Sequence, residues 1–203
     1  MAITATNVER SGKPGWWPFW LASGCVAALA ALIALTTPEP VEAVRRVIRF
    51  TAQSSLLLFS TAFAASALAR LMPSPATRFL RRHRRQFGLA FAVSHGLHAA
   101  ALITLARLAP ALFASLTDTP MYIFGGLAYL FIIALAATSF DRSAAWLGAR
   151  RWRLLHLVGG WDIWLTFLVS EGKRAIHDAG YLPYLAVILA VLALRLMARR
   201  RAG

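Results

Sequence analysis

Residues 138–169 read TSFDRSAAWLGARRWRLLHLVGGWDIWLTFLV. An apolar run stops at a polar corner, and a short basic amphipathic piece follows (141–153). A second apolar helix then begins with His156 in its first turns. Apolar runs of the same kind recur on both sides of this stretch. The chain has 203 residues, of which 59% are hydrophobic and 15% charged, against about 25% charged in an average soluble domain. Its mean hydropathy is +0.60. A soluble domain of this size cannot hide several runs of about twenty apolar residues, the length that spans a bilayer. The expected fold class is an all-α integral membrane protein.

Six transmembrane helices are expected, at about 16–36, 47–71, 86–108, 121–138, 152–170 and 181–197. Trp16, Trp17 and Trp20 stand at the start of the first, where indoles favour the headgroup region. Pro38 and Pro40 end it, MPSP ends the second, and Pro110 and Pro120 bracket a short loop. Residues 171–180 read as a hydrophilic loop. The organisation is then an N-terminal tail (1–15), a six-helix bundle (16–198) and a basic C-terminal tail (199–203). The first span has a longer apolar core than a cleavable secretory signal, so it is expected to be retained.

The net charge is +14, from 22 Lys and Arg against 8 Asp and Glu. In a soluble protein that balance points to nucleic acid. Here the charges fall between apolar spans, so topology accounts for them and no nucleic-acid partner is expected. The clusters at 78–85, 142–153 and 195–201 fall on one side of a six-span bundle, together with both termini. The positive-inside rule makes that side cytoplasmic. Arg45, Arg46 and Arg49, beside Glu39 and Glu42, are the exception on the opposite side. The single cysteine, Cys25, excludes an internal disulfide and a cysteine-based metal site.

Ionisable groups inside spans are costly and mark functional candidates. His95, His98, His156 and Asp162 qualify. His83 and His177 fall in loops and read as solvated. His95 and His98 are three residues apart and project from one face of the third span. His156 lies on the fifth span, which crosses in the same direction. Imidazoles from two facing helices can hold haem iron axially; an interhelical bond, a proton path or a neutral buried imidazole are the other readings. At 1.5 Å per residue, His95 and His98 lie roughly 15–20 Å beyond Arg85, and His156 about 5 Å beyond Arg153. Helix tilt is expected to close part of that gap, which makes His95 the better depth match to His156. Asp162, about 13 Å beyond Arg153, needs a donor, and the N–H of an axial histidine is the first expectation. Gly159 and Gly160 leave space either for close helix packing or for a ring.

TSFDRSAAWLGARRWRLLHLVG (138–159) resembles the signature of bacterial ferric-reductase-like transmembrane proteins. RRQFGLAFAVSHGLHAAAL (84–102) is similar to that family's basic segment and histidine-bearing third span. The family includes the haem-binding membrane partner of a periplasmic methionine-sulfoxide reductase. The resemblance runs from about residue 49 to 170. It implies a six-helix bundle that binds haem b and passes electrons across the bacterial cytoplasmic (inner) membrane. By position it implies His98 as the third-span iron ligand and His156 as the fifth-span ligand, with His95 fitting an SHxxH variant. Two-haem relatives carry a further fifth-span histidine thirteen or fourteen residues on; that interval ends here at Val169 and Ser170. The expectation is therefore one haem b or none, with reductant and acceptor supplied by quinol, a flavin or a partner protein. The alternative is a haem-free accessory subunit of a larger membrane complex.

Overall fold

The computed structural model describes residues 15–201. Most of the expected N-terminal tail and residues 202–203 lie outside the described residues. The described chain forms helices and no strand. In order these are α1 (Trp17–Thr36), α2 (Pro40–Leu71), α3 (Pro75–Arg82), α4 (Arg84–Leu108), α5 (Pro110–Leu116), α6 (Thr119–Ala137), α7 (Asp141–Leu147), α8 (Ala149–His177) and α9 (Leu182–Arg200). A short 3-10 turn, Ala179–Tyr181, joins the last two.

Prolines that read as the ends of spans are in fact helix starts. Pro40, Pro75, Pro110 and Pro120 each sit in the first turn of a helix, where the missing N–H costs nothing. The residue before often caps the new helix. Asp118 accepts from the Met121 N–H at 2.8 Å, and Ser74 with Thr77 closes a capping box. As a result the segments expected to be loops, at 78–85 and 110–120, are largely helical.

Two spans also run longer than expected. α2 begins at Pro40, so Arg45, Arg46 and Arg49 lie on its first turns and all three reach the Glu42 carboxylate, at 3.4, 3.2 and 2.8 Å. One carboxylate thus offsets the charge exception noted above. α8 continues through the expected loop to His177, which leaves only a tight turn before α9.

Among the described residues, five helices are long and apolar enough to cross a membrane: α1, α2, α4, α6 and the 179–200 stretch containing α9. The chain is a multi-pass membrane protein. α8 has 29 residues, enough to span, but His156, Asp162 and Glu171 lower its hydropathy. α2 is the central element, packed against α1, α4 and α9. Its small residues Ala52, Ser55, Ala64 and Ala65 are buried, and they let α4 approach through Ala90 and Ser94. Continuous with that seam is an aromatic core of Phe59, Phe91, Trp164 and Phe167, with Leu56, Ile163 and Ile188.

Candidate functional site

His95 and His98 come together. Their rings stack at 5.1 Å on α4, with His98 turned toward α2. His98 Nδ1 lies 3.1 Å from the Ile48 carbonyl and 3.1 Å from Thr51 Oγ1. A carbonyl only accepts, so Nδ1 carries the proton and the Nε2 lone pair is free. Around this pair α2 and α4 share a hydroxyl network. Ser94 Oγ meets Ser54 at 3.0 Å and Ser55 at 2.9 Å, and donates to the Thr51 carbonyl at 3.3 Å. Thr51, Ser55 and Ser94 are fully buried. Buried hydroxyls need partners, and here they find them across the most extensive helix contact in the bundle.

His95 sits in an aromatic box. Phe91 lies 5.5 Å away, Tyr129 4.9 Å and Phe167 6.1 Å, centroid to centroid. The Phe167 contact sets the register of α8 against α4. Phe167 follows His156 by eleven residues, which is about 16 Å of helix. The depth gap is therefore not closed by tilt; α8 starts lower than its arginines suggest, because Gly148 begins it before Arg150. Neither His95 nor His98 shares a level with His156.

His156 belongs to the corner instead. Its ring stacks on Trp152 at 4.2 Å, and Nε2 lies 3.2 Å from Thr138 Oγ1. Thr138 spends its own proton on the Ala134 carbonyl at 2.7 Å, so His156 Nε2–H is the donor. Trp152 Nε1 donates to the Thr138 carbonyl at 2.9 Å. Together the two rings finish the C-terminus of α6, where carbonyls lack helical partners.

Asp162 does not meet a histidine. Among the hydrogen bonds of the described residues, none joins the two, and its Oδ2 is buried without a partner. It shares the stripe of Gly159, three residues earlier, which faces Phe131 of α6. The glycines accommodate rings of the protein itself. A Cβ at Gly159 would stand 2.9 Å from Phe131, and one at Gly160 2.9 Å from Phe63.

These observations decide how the residues present fit a haem. A metal–imidazole bond is about 2 Å long, so two axial histidines must face each other at one level. The fifth-span candidate is about 16 Å along the axis from the nearest third-span candidate. Its Nε2 is committed as a donor, and phenylalanines fill the notch beside it. The donor set does not fit a haem held between His156 and either His95 or His98. His98 has the tautomer of an Nε2 ligand, with Nδ1 fixed by a carbonyl.

Four polar residues near these elements escaped the sequence reading. Glu171, expected in a loop, is 1% exposed, with Arg174 at 3.4 Å from one oxygen and the other unpartnered. It lies one turn beyond Phe167 on the same stripe, a periodicity that continues past Ser170 and would have revealed it. Gln86 is also buried, with both amide atoms unpartnered. His83, expected in solvent, is 5% exposed and packs on Phe79 at 4.4 Å and Trp17 at 6.4 Å. Burial, aided by Arg82, holds its imidazole below the ordinary histidine range. Arg195, on α9, reaches inward to donate to the Phe63 carbonyl at 2.7 Å and lies 3.8 Å over the Phe63 ring.

No curated protein and no solved structure matches the chain. A family model does: ferric reductase like transmembrane component, over residues 50–167. That interval runs from α2 into α8 and takes in the His95–His98 pair, the corner at Thr138 and His156. It covers more than half of the chain, which therefore belongs to the ferric reductase like transmembrane component family.

Proposed function

We propose that the chain is a haem-free accessory subunit of a membrane electron-transfer complex. It crosses a bacterial cytoplasmic membrane six times, with α8 as the fifth span, and both termini are cytoplasmic. The family membership supports a role in membrane electron transfer, and the basic clusters at one end of the bundle support the orientation. The offset of His156 from His95 and His98 carries the haem-free reading. With no facing pair of histidines, the bundle has no axial site of its own between α4 and α8. Electrons from quinol or a flavin then pass through a partner protein, which this bundle anchors in lipid.

One observation favours a second reading, a b-type haem held from one side by His98. Its Nε2 lone pair is free, and its Nδ1 is already fixed by Ile48. That arrangement needs His95, stacked on the His98 ring at 5.1 Å, to move aside. The experiment that separates the readings is purification from native membranes in mild detergent. The chain is expected to migrate with a redox complex whose reducible chromophore stays with the partner when the two are split. Migration alone, with a Soret band of its own, would contradict the proposal.

A further inference from the structure

Beside the histidines, on the opposite face of α4, lies a lateral groove between α1, α4 and α6. Its volume is about 690 Å³, within the roughly 300–1,000 Å³ of small-molecule sites. Trp16, Phe19, Leu89, Val93, Ala136 and Phe140 line it, and nearly all of that lining is apolar. From Arg85 to Val93 it runs about 12 Å along α4, most of the roughly 15 Å hydrocarbon depth of one leaflet.

The mouth has a different chemistry. Arg85 stands one turn before Leu89, with its guanidinium 5.3 Å from the centre of the Trp16 ring. It donates to Asp141 Oδ1 at 2.8 Å and to the Ser139 carbonyl at 3.3 Å. Arg85 is 35% exposed and Asp141 84%, so a fixed cation and a fixed anion both face the headgroup layer. A phosphate prefers the guanidinium fork, while an ammonium prefers the free oxygen of Asp141. A headgroup that carries both charges satisfies both residues; a purely anionic one meets the Asp141 carboxylate.

We propose that this groove holds one acyl chain of a phosphatidylethanolamine, with the lipid phosphate at Arg85 and its ammonium at Asp141. Two features, the apolar trough and the paired charges at its end, select this amphiphile over a partner helix or an anionic lipid.

The test is native mass spectrometry of the full-length chain after exchange into detergent with phosphatidylethanolamine or phosphatidylglycerol of identical acyl chains. The wild-type chain is expected to retain one lipid and to prefer the ethanolamine lipid by about two- to fivefold, the scale of an exposed ion pair. Asp141→Asn, at an exposed position, should reverse that preference. Ala92→Phe, which fills the floor of the groove, should remove the retained lipid of either kind. Equal retention of the two lipids by wild type and Asp141→Asn would overturn the headgroup assignment. Retention unchanged in Ala92→Phe would overturn the groove. A wild-type dimer without bound lipid would also overturn the proposal, by giving the groove to a second copy of the chain.

Discussion

Three histidines inside the bundle look alike in the sequence and differ in the company they keep. His98 offers an unused lone pair, His95 has a buried Nδ1 with no partner, and His156 donates to Thr138. The last is the most informative, because its Nε2 is engaged within the protein without a ligand. One hydrogen bond and one ring stack are worth about 1–2 kcal/mol together, so His156→Ala should lower the thermal unfolding midpoint in detergent by that equivalent. His156→Gln, which keeps a donor near Thr138, should recover part of the loss. An unchanged midpoint in His156→Ala would refute the corner role. Spacing reveals that His95 and His98 share a face. It cannot reveal which nitrogen carries the proton, because that depends on carbonyls supplied by another helix.

The elements place those residues through their boundaries. Gly148 separates α7 from α8 with φ +79° and ψ +150°, a region that is essentially restricted to glycine. Nothing stands within 4 Å of a Cβ built there, so an alanine meets no clash and only the backbone is strained. Gly148→Ala should cost about 1–3 kcal/mol and loosen the corner, read as a lower unfolding midpoint with native helix content by circular dichroism. A neutral effect would mean that the turn is free to change its conformation. This glycine also explains what the sequence hid. Depths counted from Arg153 assume that the helix begins beyond the arginines, but Gly148 starts it before them. The same reasoning applies to Pro40, Pro75, Pro110 and Pro120: proline marks a boundary plainly, while the capping residue before it decides which side is helix. Glu171 is hidden for a related reason, since a charged segment reads as a loop until the stripe of Phe167 is followed one turn further.

For the whole molecule, membrane class and family were legible because they rest on long apolar runs and on one motif, 138–159, that stays together in space. The site was less legible because it depends on the sliding of α8 against α4. That register is set by Phe91, His95 and Phe167, residues far apart in the chain, and composition says nothing about it. The consequence is a bundle with the family's scaffold whose histidines lie in two layers, with no facing pair between α4 and α8. His83, near the level of His156, packs against Trp17 of α1 and Phe79 of α3. The direct measurement is a pyridine haemochrome assay on the purified full-length chain, expressed with ample haem and freed of partners. No haem b above background is expected. One haem b per chain, lost in His98→Ala, would contradict it.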